Sequence, residues 1–210
     1  MLMNTRLVWN FEIENDNMLN LQNLKAAREE IRWEARYFWP SNTTITLHGL
    51  DHHFLSLSNY ETKHRQDCYS LLPKSNFNIK RRRMQMLYKP LLKESGMLRG
   101  YGKKINLEDY PDNEILPGTD GLSAPALLAQ LKNNKRDIEV EKDALIYKFA
   151  SEPIIKLELA RLTIAEQIFY SACIEGKSKT LVSSIAKHLL GERVSCDYVN
   201  FLKQILAYDE

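Results

Sequence analysis

Three cations on two neighbouring segments have the spacing with the clearest chemical use in this sequence. Lys80 and Arg82 alternate within Phe77–Arg83, and Lys89 follows within Gln85–Leu92. Side chains two positions apart on a β-strand share one face, so these cations meet if the segments form a hairpin. An arginine fork binds two phosphate oxygens at once, and a lysine acts as a point charge. The spacing predicts binding of a phosphate-bearing anion; the alternative is a solvated run on an exposed hairpin.

Other segments carry cations and carboxylates in the same alternating pattern. The additional cations are Arg36, Arg65, Lys142, Lys156 and Arg161, and the carboxylates are Glu34, Asp67, Glu158 and Glu175. Several cations around one cavity repel each other unless anions compensate them. The carboxylates can supply that compensation, or they can hold Mg²⁺ or Mn²⁺ beside a bound phosphate chain. Both possibilities stay open at this point.

The segment Glu30–Pro40 indicates the fold that would bring these residues together. Its charged residues alternate with apolar and aromatic ones, Glu30, Arg32, Glu34 and Arg36 against Ile31, Trp33, Ala35 and Tyr37. A strand of this kind has one charged face and one apolar face. Several segments repeat the pattern in sequential pairs. We therefore expect the α+β class, with an antiparallel β-barrel around a charged tunnel and helices packed on the outside.

The other elements follow from hydrophobic periodicity and helix-capping signals. Strands are expected over residues 6–14, 30–39, 43–47, 63–72, 77–83, 85–92, 137–149, 154–162 and 167–174. Helices are expected over residues 16–29, 124–133, 178–190 and 198–207, and glycine and proline predict loops over residues 96–121. We expect one domain over residues 1–210, with a strand–helix extension at 1–29, a tunnel core at about 30–176 and C-terminal helices at about 177–210.

Composition argues against several other classes of protein. The net charge of +2 over 210 residues implies no bulk attraction to nucleic acid or membranes, so nucleic-acid binding through the basic hairpin is only a further alternative. No stretch approaches about 18 consecutive apolar residues, and the N-terminus lacks the apolar core of a secretory signal. The three cysteines lack C-x-x-C spacing, and the lack of this spacing is typical of reduced thiols. We therefore expect a cytoplasmic protein.

Several segments together resemble the motifs of one known family. In order along the chain they are WEAR at Trp33–Arg36, RQDCYSLLP at Arg65–Pro73, NIKRRR at Asn78–Arg83, MLYKPL at Met86–Leu91, IIKLELARL at Ile154–Leu162 and SACIEG at Ser171–Gly176. This ordered set resembles the CYTH superfamily of triphosphate tunnel metalloenzymes, which includes thiamine triphosphatases, inorganic triphosphatases and class IV adenylyl cyclases. The resemblance covers roughly residues 30–191. It implies a small-molecule triphosphate or another polyanion as ligand, and Mg²⁺ or Mn²⁺ as cofactor.

The resemblance also implies roles for particular residues. The implied metal ligands are Glu34 and Glu175, and Glu158 is a candidate to replace a missing ligand. The implied phosphate-binding residues are Arg36, Lys80, Arg82, Lys89 and Lys142, to which strand alternation adds Arg65 and Arg161, and the implied catalytic set is Glu34, Arg36, Lys80, Arg82 and Lys89. In such a site the metal positions a water, and the basic residues stabilise the charge on the phosphoryl group.

The chain departs from the family's pattern at the metal-binding positions. Arg32 stands where the first motif glutamate is expected, and Cys173 stands at the first glutamate of the last acidic pair. An arginine in place of a carboxylate removes a metal ligand and adds a repelling cation. Glu12 and Glu14 are an alternative acidic pair, although they lie far upstream of the other motifs. Two functions stay open: a metal-dependent triphosphate phosphohydrolase, and a non-catalytic protein that binds a phosphorylated or other anionic ligand.

Two further groups of residues have a simpler explanation than a functional site. His48, His52 and His53 lie in a loop-like stretch without a spaced fourth ligand, so we expect turn histidines. The GYGKK segment at Gly100–Lys104 lacks the spacing of a nucleotide-binding phosphate loop, so we expect a flexible loop there.

Overall fold

The computed structural model describes residues 4–14 and 23–207. The strands are β1 (Thr5–Val8), β2 (Phe11–Glu14), β3 (Leu24–Lys25), β4 (Arg32–Pro40), β5 (Ile45–His48), β6 (Glu61–Leu71), β7 (Asn78–Arg82), β8 (Gln85–Lys89), β9 (Leu91–Ser95), β10 (Leu98–Tyr101), β11 (Ile105–Asn106), β12 (Arg136–Lys148), β13 (Ser151–Glu152), β14 (Ile155–Ile164) and β15 (Gln167–Gly176). The helices are α1 (Ala124–Asn134), α2 (Lys179–Leu190) and α3 (Tyr198–Leu206), with two short 3₁₀ turns at His52–Leu55 and Leu57–Asn59. None of these described helices is long and apolar enough to cross a lipid bilayer.

Ten strands form one antiparallel sheet in the order β11-β8-β7-β6-β12-β14-β15-β4-β10-β9. Strands β8 and β9 lie near opposite ends of this order, yet only Pro90 separates them in the chain. The sheet must therefore curl until its two ends approach each other. Pro90 interrupts the ladder at this point, because proline has no backbone N–H to donate to a neighbouring strand. No pairing joins β8 to β10 within residues 4–14 and 23–207, so the curled sheet stays open along this line, which we call the seam.

The expected α+β class with a barrel-like antiparallel sheet is confirmed in this open form. Two smaller sheets stand beside the large one. Strands β1, β2 and β5 form a three-stranded sheet, and β3 pairs in parallel with β13. The large sheet positions most of the candidate site, because its concave face carries most of the charged side chains that line the cavity.

Part of the convex face of the large sheet is apolar, and helix α2 covers this part. Ser178 caps this helix by accepting a hydrogen bond from the backbone N–H of Leu181. Val182, Ile185 and Leu189 recur at helical spacing, so they lie on one face of α2. They are buried in one core with the outward residues of β4 and β14. Burial of an aliphatic side chain of this size stabilises a fold by about 1.5–3 kcal/mol. This core fixes which face of each strand points away from the cavity.

Helix α1 covers the hairpin of β7 and β8 on the same convex side. Leu127 of the helix packs in a buried cluster with Ile79 and Tyr88 of the hairpin. Because strand neighbours point to opposite faces, Lys80 and Lys89 are left on the concave face. The predicted hairpin is confirmed, with its strands paired in register from Asn78 opposite Lys89.

Helix α3 lies on the concave face, which corrects the expectation that all helices pack on the outside. Along β14 the residues that face inward change from charged to apolar. The apolar ones include Ala160 and Leu162. These two residues share a buried cluster with Val199 of α3. Phe38 of β4 also points inward and stacks on Phe201, with ring centroids 3.9 Å apart. The helix therefore fills one end of the concave face with hydrophobic core.

Three local expectations change. The expected first strand is a hairpin of β1 and β2, because the chain turns at Trp9 with a φ of 48°. Asp16 and the first part of the expected first helix lie outside the described residues, and Leu24–Lys25 pair with β13 as a short strand. The expected loop over residues 96–121 contains β10, which pairs with β4 and completes that side of the sheet.

Candidate anion-binding site

The other end of the concave face encloses a cavity of about 480 Å³. Eleven cations line it: Arg32, Arg36, Lys63, Arg65, Lys80, Lys89, Arg99, Lys103, Lys104, Lys142 and Lys156. Four carboxylates also line it: Glu34, Glu158, Glu175 and Asp197. The lining has a formal excess of seven positive charges, and the curl of the sheet aims them at one volume.

Cross-strand pairing places two of these carboxylates side by side. Glu34 of β4 and Glu175 of β15 are directly opposite each other in the ladder. Like charges in this position destabilise a sheet, but each carboxylate has its own cation. The guanidinium of Arg32 lies 3.2 Å from Glu175, and Lys89 donates a hydrogen bond to Glu34. Burial raises the pKa of Glu34, but Lys89 and Arg36 outweigh burial and bring it below its ordinary value.

Glu158 is neutralised by two cations at once. The Lys142 ammonium donates to both carboxylate oxygens at 2.9 Å, and the Arg36 guanidinium donates to one of them at 3.1 Å. Burial alone would raise the pKa of Glu158, but Lys142 and Arg36 hold it well below its ordinary range. Glu158 is therefore an ionised partner of these cations, and it has no net charge left to attract a metal.

A third group of ion pairs forms around Asp67, beside the cavity lining. Arg82 donates to both carboxylate oxygens of Asp67 at 2.6 Å, and Lys80 donates to one of them at 2.9 Å. Burial raises the pKa of Asp67, but its two partners outweigh burial and lower it to about 2. Burial likewise lowers the pKa of Lys80 to about 7, against the opposing effect of Asp67. Asp67 takes the fork of Arg82, and Arg82 is not among the residues that line the cavity.

The C-terminal segment completes the wall of the cavity next to Arg36. The backbone N–H of Arg36 donates to the Ser195 hydroxyl at 3.0 Å, and the Arg36 carbonyl accepts from the N–H of Cys196 at 2.8 Å. The guanidinium lies over the Tyr198 ring, 4.8 Å from its centroid. Sequence reasoning missed these C-terminal residues, since no periodic pattern marks a segment that a long-range contact brings to the wall.

Four cations of the lining have no ion-pair partner in the part of the chain that the structure describes. They are Arg65, Lys103, Lys104 and Lys156. Arg65 is directly opposite Lys142 in the ladder, so the sheet places two cations side by side. The pKa of Lys104 is lowered by loss of hydration and by the nearby Lys89 and Arg82. The Gly100–Lys104 segment, expected to be a flexible loop, therefore begins in β10 and contributes to the cavity.

Arg161 is not in the cavity, which corrects its predicted place in the phosphate-binding set. Its side chain is on the convex face, 4.0 Å from Asp143. Lys156 and Glu158 of the same strand face the cavity, and an odd separation in sequence puts Arg161 on the opposite face. The basic run divides in the same way, because Lys80 and Arg82 point inward while Arg81 is exposed. Binding of nucleic acid would require an exposed basic hairpin, and only part of the positive charge of this hairpin is exposed.

The residues that come closest to a metal site do not fit Mg²⁺ or Mn²⁺. Glu34, Cys173 and Glu175 have ligand atoms within 4.8 Å of one another, and they are the only such group in the described residues. Burial raises the pKa of the Cys173 thiol well above its ordinary value, so the thiol keeps its proton. Hard divalent cations prefer oxygen ligands. Both glutamates are already paired with cations, and Glu158, the third predicted ligand, is not a member of the group.

Comparisons with known proteins add little to this geometry. No protein-family model and no curated protein matches the chain. A solved crystal structure from Bacillus halodurans, described as a "putative adenylate cyclase", is similar over 83% of this chain and 89% of that chain, with 10% sequence identity and a TM-score of 0.34. A likeness at this level assigns no family and no ligand. The assignment of function therefore rests on the residues of the cavity.

Proposed function

We propose that this protein binds a phosphate-bearing polyanion, such as a triphosphate, in the cavity. The observation that carries the proposal is the excess of eleven cations over four carboxylates in the lining. Its three glutamates are paired with lysines or arginines, and Asp197 caps α3. The cations that remain repel one another, and a bound polyanion would relieve that repulsion.

A ligand with several phosphate groups suits this lining better than a ligand with a single carboxylate does. The unpaired cations Arg65, Lys104 and Lys156 belong to different segments around the cavity, so an extended anion reaches more of them than a compact one. Arginine binds phosphate oxygens with a fork, and lysine adds point charges. Because α3 fills one end of the concave face, we place the entrance at the other end.

The second candidate is a metal-dependent triphosphate phosphohydrolase. Glu34 and Glu175 lie opposite each other, which is the one arrangement in the cavity that favours a metal between two carboxylates. For this function Mg²⁺ or Mn²⁺ must displace Arg32 and Lys89 from those carboxylates. The donor set described above makes binding without metal the better supported proposal.

Glu175→Gln separates the two candidates, because they predict opposite effects. If the protein binds its ligand without metal, this substitution frees Arg32, and tripolyphosphate binds at least as tightly as to the wild type in EDTA. If the protein is a hydrolase, the wild type releases phosphate from tripolyphosphate with Mg²⁺ or Mn²⁺, and Glu175→Gln removes that activity. Calorimetry in EDTA and a phosphate-release assay measure the two results. Metal-stimulated turnover that disappears in the variant would contradict metal-independent binding.

A further inference from the structure

The two carboxylates that lie opposite each other in the cavity are held by cations of the chain itself. Glu34 and Glu175 face each other across the β4–β15 ladder. The Arg32 guanidinium lies 3.2 Å from Glu175, and the Lys89 ammonium donates a hydrogen bond to Glu34. A divalent metal between the two carboxylates would have to displace both cations. The chain therefore supplies its own positive charge at the place where a metal would bind.

Glu34 is the more firmly held of these two carboxylates. Its cation Lys89 also lies 3.8 Å from the centroid of the Tyr101 ring, which is buried. Arg36 approaches the second carboxylate oxygen of Glu34 at 4.0 Å, so each oxygen has a cation of the chain next to it. A metal at Glu34 would add positive charge beside two cations, and repulsion between like charges is strong where water is scarce.

The Arg32–Glu175 ion pair is the more accessible of the two. The Arg32 side chain is 40% exposed and the Glu175 side chain 23%, against 16% and 7% for Lys89 and Glu34. A metal that entered the cavity would therefore meet the least resistance at Glu175. This ion pair is the place where a substitution can show whether the chain's own cations keep a metal out.

A polyphosphate that carries Mg²⁺ differs from the free anion in two ways that matter for this cavity. The metal cancels part of the negative charge, and it takes phosphate oxygens that arginine and lysine would otherwise bind. Mg²⁺ keeps several waters and is usually bound through one or two carboxylates together with the phosphates. The cavity offers the opposite, because eleven cations and only four carboxylates line it. The metal complex is therefore less attracted than the free anion.

We propose that the cavity accepts its polyanion only in the form that is free of divalent metal, and that the Arg32–Glu175 ion pair contributes to excluding the Mg²⁺ complex. This inference rests on the proposed function and goes beyond it, because binding without metal does not by itself exclude the metal complex. The consequence is regulatory. At a constant total amount of ligand, a rise in free Mg²⁺ withdraws the ligand into a complex and empties the site.

Calorimetry with tripolyphosphate on the wild type tests this exclusion without any substitution. The titrations are made in EDTA and at two Mg²⁺ concentrations, one that complexes half of the ligand and one that complexes nearly all of it. NaCl keeps the ionic strength constant, because salt alone weakens the attraction between charges. We expect the apparent affinity to fall in proportion to the metal-free fraction of the ligand, by half at the first concentration and at least tenfold at the second.

Arg32→Gln tests whether the ion pair contributes to the exclusion. The variant frees Glu175, so the ratio of the affinity in Mg²⁺ to the affinity in EDTA should rise at least threefold above that of the wild type. This ratio cancels the loss of affinity that removal of a cavity cation causes by itself. Arg6→Gln is the matched control, because Arg6 pairs with Glu12 at the same 3.2 Å but does not line the cavity. Its ratio should equal that of the wild type.

The outcomes separate this inference from the proposed function. If tripolyphosphate binds in EDTA and binds equally or more tightly in Mg²⁺, metal exclusion is overturned and anion binding stands. A ratio in Arg32→Gln that equals the ratio of the wild type would overturn the role of the Arg32–Glu175 ion pair. If tripolyphosphate does not bind in EDTA, the proposed function fails, and the inference fails with it.

Discussion

The two ends of the concave face are made by the same strands, but they differ in chemistry. On β14, Lys156 and Glu158 face the cavity, whereas Ala160 and Leu162 face α3 a few residues further on. The apolar end gains free energy from burial, and the charged end contains like charges that repel each other. One end of the sheet therefore stabilises the fold, while the other end holds, at some cost in stability, the cations that we propose bind an anion.

Truncation at the apolar end should have the largest effect. Leu162 is fully buried in the cluster that contains α3, so Leu162→Ala leaves a void and should lower the free energy of unfolding by about 3 kcal/mol. Urea denaturation measures this loss. The matched variant Lys156→Ala removes an unpaired cation from the charged end, and its free energy of unfolding should be unchanged or higher. Equal losses in the two variants would remove the contrast between the ends.

A change at Glu158 should move stability and binding in opposite directions. Glu158→Gln takes the negative charge away from Lys142 and Arg36, which should lower the free energy of unfolding by about 2 kcal/mol. The same change removes one negative charge from the cavity and leaves Lys142 without its carboxylate partner, so tripolyphosphate should bind several-fold more tightly. Denaturation and calorimetry give the two numbers. The exposed Glu141 lies outside the cavity, and Glu141→Gln should alter neither quantity. Weaker binding in Glu158→Gln would indicate that the carboxylate itself takes part in ligand binding.

The pH dependence of binding should show a smaller effect that originates at Lys80. Its pKa is about 7 in the folded protein and 10.5 without the protein's influence, so Lys80 loses its positive charge as the pH rises through 7. The unfolded chain then binds more protons between pH 7 and 10.5, and this lysine's contribution to stability rises with pH over that window. Anion binding requires the charged form, so affinity should fall on the alkaline side.

The ratio of wild-type to Lys80→Arg affinity isolates this effect from titration of the ligand. Arginine stays protonated at every pH in the range, so the variant keeps its charge. We expect the ratio to fall by about five- to tenfold between pH 6 and pH 8, as the wild type loses one charge. Calorimetry with tripolyphosphate at three pH values measures the ratio. A ratio that does not change with pH would show that Lys80 is already charged throughout this range.

Much of the sorting of side chains between the two faces could be predicted from the sequence. Alternation placed Glu34 and Arg36 on one face of β4 and Lys80 on the cavity side of the hairpin. The same rule places Arg161 on the opposite face of β14 from Lys156, because the two residues are an odd number of positions apart. The structure has Arg161 on the convex face, where it cannot take its predicted place in the cavity.

The pairing of charges could not be predicted, because it depends on register between strands that are distant in sequence. Glu34 and Glu175 are 141 positions apart in the sequence, and only the β4–β15 register brings them opposite each other. The contributions of Lys104 and Ser195 depend on where loops are held by tertiary contacts, and no local pattern reports that. The sequence of β14 shows that its inward residues change from charged to apolar. It does not show that a helix fills the apolar end.

The most direct test of the central claim is the affinity for tripolyphosphate in EDTA, measured by calorimetry on three proteins. Arg65→Gln/Lys156→Gln removes two cavity cations that have no ion-pair partner among the described residues, so no described ion pair is broken. Arg161→Gln removes a cation of the same kind from the convex face. We predict that the double variant binds at least tenfold more weakly than the wild type, and that Arg161→Gln binds as the wild type does. Equal affinity in all three proteins would contradict anion binding by the unpaired cations of the cavity.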